Sequence, residues 1–211
     1  TAILEHFEEK YDVLFDSRLL VNVINKIAYE NKYNPVQDFM EDCYKNWDKV
    51  KRARSLFPDY LGAKESDLTE RMTKLFFVGA VSKVYHPYDK FDFVLDLVGG
   101  QGSGKTTFLT KMGQGWYTDS MKNFDDKDQL VMMLRALIVN DDEMAISNKI
   151  PFADLKKFIT QTVLSFRAPY GTKVENYAKN FVIARTTNHE EYQKDRTGAR
   201  RFLPVHCSKE L

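Results

Sequence analysis

The sequence predicts an α/β fold, with a core built on a parallel sheet and a helical portion ahead of it. Three observations predict it. A buried-strand pattern, "FDFVLDLV" (Phe91–Val98), runs through a glycine-rich turn directly into a helix pattern, "TTFLTKM". Beyond it, short apolar strands alternate with helical stretches, the rhythm of a parallel sheet with crossover helices. Ahead of it, apolar residues recur at three- and four-residue intervals, which is a helix period.

Taken in order, residues Thr1 to roughly Val84 read as helices. "LLVNVINKIAY" and "VQDFMEDCYKNW" carry the periodic pattern, and Pro35 stands where a helix can begin. Ser66 is a candidate N-cap for "DLTERMTKLFFVGAVSKVY", and "HPY" (His86–Tyr88) ends that helix. The predicted division is a helical N-terminal domain, residues 1–85, and an α/β core, residues 86–211. Trp47 and Trp116 are expected in the packed interior. The chain opens without methionine and stops soon after the strand pattern "RFLPVHC", as an excised piece of a longer chain would.

Composition excludes some classes. The longest apolar run, "LFFVGAV" (Leu75–Val81), is far too short to span a bilayer, and no signal peptide opens the chain, so no membrane partner is expected. Cys43 and Cys207 lie far apart without CxxC spacing and fit reduced thiols. The four histidines add no metal-ligand spacing, and no zinc site is expected. The formal net charge is only +1, but its distribution is uneven. From Met144 onward there are 12 Lys and Arg against 6 Asp and Glu, while Thr1–Glu143 has 19 against 24. A basic C-terminal third suits a face that meets phosphates, although a solvated surface has the same look.

The glycine turn carries the chemistry. Gly99-Gly100-Gln101-Gly102-Ser103-Gly104-Lys105-Thr106 satisfies G-x-x-x-x-G-K-[ST] in full, with a strand before it and a helix that begins with Thr106 and Thr107 after it. Glycines reach backbone angles closed to other residues, so successive N–H groups can turn inward around phosphate oxygens. The helix N-terminus adds its partial positive charge at the same point. In that geometry Lys105 reaches the outer phosphates and the Thr106 hydroxyl ligates Mg²⁺. The predicted cofactors are therefore ATP and Mg²⁺.

A second half of such a site needs an acid at the tip of a neighbouring strand. "LRALIVNDDEM" offers a strand at Ala136–Val139 that ends in Asn140-Asp141-Asp142-Glu143. Asp142 is assigned to the magnesium shell and Glu143 to the base that polarises water, with Asp141 as the rival for the metal. A third strand, "NFVIARTTN", ends at Asn188, whose amide can contact the terminal phosphate or the lytic water; a capping Asn would have the same spacing. Arg200 and Arg201 follow a Thr-Gly turn and precede a strand. One guanidinium there can stabilise a neighbouring subunit's phosphate, or the two can be a surface pair held by carboxylates.

The ordered set "GGQGSGKTTFL", "LIVNDDEM", "FRAPYG", "VIARTTN" and "DRTGARRFLPV" resembles the virulence-associated protein E family. These are P-loop ATPases of phages and pathogenicity islands, related to superfamily 3 helicases within the AAA+ class. The resemblance covers about Asn34 to Val205. It implies a RecA/AAA+-like P-loop NTPase core with Walker B acids at Asp142 and Glu143, a sensor at Asn188 and an arginine finger at Arg200 acting across a subunit boundary. One departure is Asn140, where the family more usually carries an acid. In superfamily 3 helicases a hairpin before the sensor strand grips single-stranded DNA. Here "APYGTKVENYAKNF" is the matching segment, with Lys173 near its tip. The surrounding stretch also carries Lys156, Lys157, Arg167 and Lys179, interleaved with Phe166, Tyr170 and Tyr177. Lys173 and Arg167 are the candidate DNA contacts.

The function implied is an ATP-hydrolysing, replicative helicase-like motor of a mobile element, working as a homo-oligomeric, hexameric ring on single-stranded DNA in the bacterial host cytoplasm. A primase-like domain is expected outside this sequence. The alternatives are an ATP-dependent initiator or loader that does not unwind processively, and a P-loop small-molecule kinase.

Overall fold

The computed structural model describes residues 2–169, 171–189 and 199–208 of the chain. Two compact units result, Thr1–Asp38 and Phe39–Leu211. The first holds α1 (Ala2–Tyr11), α2 (Ser17–Glu30) and the start of α3 (Pro35–Lys45). Asp16 caps α2 by accepting a hydrogen bond from the backbone N–H of Leu19 at 2.9 Å. Neither α1 nor α2 buries a residue. Asn34 accepts from Val36 N–H at 3.0 Å, so α3 starts at Pro35 as its sequence predicts.

The second unit contains α4 (Leu56–Leu61) and α5 (Asp67–Tyr85) together with the sheet. The compact units thus part near residue 38, not near the expected residue 85. Packing explains the difference. Phe57 and Phe76 are fully buried, the Phe57 ring lies 5.6 Å from Phe108 beyond the glycine turn, and Ser208 N–H donates to the Leu61 carbonyl at 3.0 Å. A Cβ on Gly79 would come within 2.1 Å of the Phe91 ring, so α5 needs glycine there to approach the strand lead-in. Ser66 caps α5 by accepting from Thr69 N–H at 3.1 Å, and the helix ends at Tyr85, just before "HPY". Trp47 is 39% exposed, with its indole N–H on the Val50 carbonyl, and so is not a core residue as expected. Trp116 is half-buried, 5.6 Å from the ring of Phe39.

The remaining elements are β1 (Val94–Val98), α6 (Lys105–Gly113), β2 (Tyr117–Thr118), α7 (Lys127–Leu134), β3 (Ile138–Asp141), α8 (Phe152–Thr160), β4 (Val163–Phe166), β5 (Glu175–Ala178), β6 (Val182–Thr187) and β7 (Phe202–His206). Five strands form a parallel sheet in the order β2-β3-β6-β1-β7, and β4 and β5 pair separately as an antiparallel hairpin. This is the mixed α/β architecture with a parallel sheet that the alternating pattern predicts. Val94, Val139, Ile183 and Phe202 of the sheet share a core with Leu130 and Met133 of α7 and Leu155, Phe158 and Ile159 of α8. By the two-residue alternation of a strand, the fully buried Leu95 and Leu97 face the other way.

One polar pair lies inside this sheet. Asp96 and Arg185 are register partners on β1 and β6, and the guanidinium meets the carboxylate bidentately, Nε–Oδ1 2.8 Å and Nη2–Oδ2 2.6 Å. Arg185 also stacks 4.2 Å from the Phe202 ring. A pair this deeply buried survives because both charges find geometry-matched partners. Among the described residues, no helix is long and apolar enough to cross a membrane.

Candidate functional site

In a parallel sheet, the loops that leave the strand C-termini gather along one edge, where open α/β sheets bind ligands. Here that edge gathers the turn after β1, the turn after β3 and the end of β6. The turn after β1 is residues 99–104, and it leads into α6 at Lys105. Gly102 (φ +83) and Gly104 (φ +79) take left-handed backbone angles that a side chain would strain. Gln101, Gly102, Ser103, Gly104, Lys105, Thr106 and Thr107 line a cleft of about 240 Å³ with Glu143, Thr186 and Asn188.

The cleft is held by a connected polar network. The Lys105 ammonium donates to the carbonyls of Gly99 (2.6 Å) and Gly100 (2.8 Å), to Ser103 Oγ (3.1 Å) and to Asn188 Oδ1 (3.0 Å). Asn188 in turn donates through Nδ2 to Glu143 Oε1 at 2.8 Å. One amide therefore bridges the lysine and the glutamate, which distinguishes it from a residue that only caps a backbone turn. Glu143 itself sits at φ 53°, ψ 20°, and Met144 follows at φ 50°. Such backbone angles cost energy for residues with a side chain and persist where the surroundings impose them.

The two aspartates that sequence could not separate have different surroundings. Asp141 is 1% exposed, and its carboxylate accepts the backbone N–H groups of Ile146 and Ser147, both at 2.8 Å. It ties down the turn after β3. Asp142 Oδ1 accepts from the Thr106 hydroxyl at 3.0 Å, from the Thr186 hydroxyl at 2.7 Å and from Asn140 Nδ2 at 3.3 Å. The Thr106–Asp142 pair is an all-oxygen donor set of the kind a small hard cation takes. Asn140, the departure from the resembled pattern, is fully buried and lends this carboxylate a donor that an ionised acid could not supply. Its amide also donates to Tyr117 Oη at 3.1 Å, and burial pushes the Tyr117 phenol up to about 12. The strand itself is Ile138–Asp141, two residues later than the expected Ala136–Val139, so Asn140 and Asp141 lie inside it.

Thr186 lies in "NFVIARTTN", where its sequence context assigns it no role. Its hydroxyl donates to Asp142 and accepts from Glu143 N–H at 3.0 Å, so it clasps the end of β6 to both acids. The available signal was its two-residue offset from Asn188, which puts both on one side of an extended chain.

The remaining candidates lie elsewhere. Because Phe202 of β7 registers with Val94, and His206 with Val98, the residues before β7 sit at the strand N-termini. Arg200 and Arg201 are there, roughly 13 Å of strand from the glycine turn. Arg200 is exposed; Arg201 is half-buried and 3.8 Å from Asp92. Both border a basic hollow with Lys156 and Lys157 of α8. The Thr-Gly turn before them, Thr197-Gly198, lies outside the described residues. Arg167 and Lys173 are exposed in the connection between β4 and β5, and Tyr170 lies outside the described residues. The Phe166 and Tyr177 rings meet at 4.7 Å, tilted by 34°, and form the hairpin's own packing, so they are not free rings among the basic residues. Lys179 is also withdrawn, at 2% exposure.

The comparisons agree with this architecture. Comparison with the curated proteins gives no match. Among solved structures, the chain is similar to the apo C-terminal region of NrS-1 at 16% identity and a TM-score of 0.50, over 75% of this chain and 37% of that one. A second structure of that region gives 17% identity and a TM-score of 0.50, over 75% and 38%. The chain thus spans little more than a third of those structures, and the likeness is one of fold. PCH-2 of C. elegans overlaps more loosely, at 14% identity and a TM-score of 0.41 over 77% of this chain and 48% of that one. The model of the virulence-associated protein E-like domain matches residues 40–211, and the chain belongs to that family.

Proposed function

We propose that this chain is the P-loop core of a magnesium-dependent ATPase of the AAA+ type, related to superfamily 3 helicases, which drives movement on single-stranded DNA during replication. The observation that carries it is the convergence of Lys105, Thr106, Glu143 and Asn188 on one cleft at the C-terminal edge of a parallel sheet, with Asp142 hydrogen-bonded to Thr106 of its lining.

Each group has a task in that reading. The N–H groups of the Gly99–Thr107 turn and the start of α6 receive phosphate oxygens. Lys105, now satisfied by loop carbonyls, exchanges those acceptors for the outer phosphates. Thr106 and Asp142 hold magnesium, which when bound neutralises charge that develops on the phosphates. Glu143 accepts the proton of the attacking water, and Asn188 positions that carboxylate while sensing the terminal phosphate through the same amide. Arg200, on the opposite sheet edge, supplies positive charge to the next subunit's site, which calls for a ring. Lys173 and Arg167 grip the strand from the hairpin loop.

ATP turnover with and without single-stranded DNA tests the reading. Glu143→Gln is expected to keep ATP binding and lose about 100-fold or more in kcat, whereas Lys105→Ala loses binding. Unchanged turnover in Glu143→Gln would remove it from the role of base. A strand-displacement assay separates a motor from a loader that hydrolyses ATP without unwinding.

A further inference from the structure

Beside the cleft at the glycine turn lies a second hollow that the phosphate chemistry does not use. It measures about 490 Å³ and is lined by Leu56 and Tyr60 of α4, by Gly104 and Thr107, and by Phe108, Lys111 and Met112 of α6. Gly104 and Thr107 line both hollows, so the two adjoin at these residues.

The local sequence explains why the second hollow is apolar and firm on one side. In "LFPDYL", Phe57 and Leu61 stand four residues apart and are both fully buried, which anchors α4. Leu56 and Tyr60 form the adjacent pair at the same spacing, and these face the hollow. Phe108 is the fixed wall, because its ring is 5.6 Å from Phe57 and 6.4 Å from Tyr60. Tyr60 remains 61% exposed, an aromatic face held at the mouth of an apolar site beside a phosphate-shaped one.

We propose that this hollow is the base subsite: the nucleobase of a nucleoside triphosphate stacks on Tyr60 and rests on Leu56, Phe108 and Met112. The proposal rests on the phosphate reading of the Gly99–Thr107 turn. Because the hollows adjoin at Gly104 and Thr107, this one lies within reach of the base end of a ligand whose phosphates occupy the turn. Chemistry agrees, since a flat π-system suits an aromatic and aliphatic lining, with Thr107 and Lys111 as the polar side chains at its margin besides the Tyr60 hydroxyl. Recognition by face more than by edge favours purines, whose stacking surface is larger.

Calorimetric titration of the full chain with magnesium and either ATP or inorganic tripolyphosphate tests it, in wild type, Tyr60→Ala and Tyr60→Phe. Loss of one stacking partner is expected to weaken ATP about ten-fold, to leave tripolyphosphate unchanged, and to be restored by Tyr60→Phe. Tyr60 is mostly exposed, so the thermal midpoint of the variant should stay near that of wild type. ATP binding equal in wild type and Tyr60→Ala overturns the base subsite while the phosphate reading stands. Equal weakening of ATP and tripolyphosphate also overturns it, because Tyr60 would then act on the turn. Failure of wild type to bind either ligand brings down the phosphate reading, and the subsite with it.

Discussion

At the scale of single residues, Lys179 shows how burial reassigns a charge. In the sequence it belongs to a basic stretch suited to nucleic acid. In the structure its ammonium donates to the carbonyls of Phe158 and Ile159, at 3.0 and 2.8 Å, near the C-terminal end of α8, between the rings of Phe158 and Phe181. Burial first, and then the nearby Lys83, push its pKa down to about 7. In the unfolded chain an ordinary lysine holds its proton to about pH 10.4. Between about pH 7 and 10 the unfolded state therefore binds more protons than the native state, and stability from this group rises with pH, by at most about 1.4 kcal/mol per pH unit. Below pH 7 both states are protonated and the contribution is flat. Urea midpoints at pH 7 and 9.5 should rise in wild type and rise less in Lys179→Met; equal slopes would refute the assignment. Sequence spacing could not rank Asp141 against Asp142 for a related reason. Only their partners, two backbone amides for one and two hydroxyls for the other, separate an acid that braces a turn from one bonded to Thr106 and Thr186 of the cleft lining.

At the scale of elements, local pattern was a sound guide wherever the element is set by its own residues. The strand, turn and helix from Val94 to Gly113 follow from apolar alternation, glycine backbone freedom and helix propensity, all local properties. The β4–β5 hairpin was expected only through the superfamily 3 resemblance, and the structure pairs Val163–Phe166 with Glu175–Ala178. What its residues face was not legible, because Phe166 and Tyr177 pack on each other across the two strands. Lys173 is exposed in the connection, as is Arg167, so both side chains are open to solvent. Binding of a single-stranded oligonucleotide, followed by anisotropy over a range of salt, should show a slope of log K against log salt shallower by about 0.7 in Lys173→Ala. An unchanged slope would take Lys173 out of the interface.

At the scale of the whole molecule, the parallel register of β7 with β1 puts Arg200 at the sheet edge opposite the glycine turn. A group on the far edge cannot serve its own cleft, so in the proposed mechanism it must serve another copy's, through a head-to-tail contact that makes a ring where the rotation closes. Mixing Lys105→Ala with Arg200→Ala subunits is the corresponding test. Each alone is expected to be inactive, and the mixture should recover measurable ATPase activity where an intact cleft meets an intact arginine; no recovery at any ratio would exclude action across subunits. The amino-acid sequence by itself determined the parallel α/β core and the glycine turn, because periodicity and backbone freedom are properties of neighbours along the chain, and the family was legible through the resemblance of its ordered motifs. Only the tertiary structure decided that α4 and α5 belong with the sheet, that Asp96 and Arg185 pair inside it, and that Thr186 joins both acids. Those outcomes depend on residues tens of positions apart meeting in a dry interior, where partners and burial set what a polar group can do.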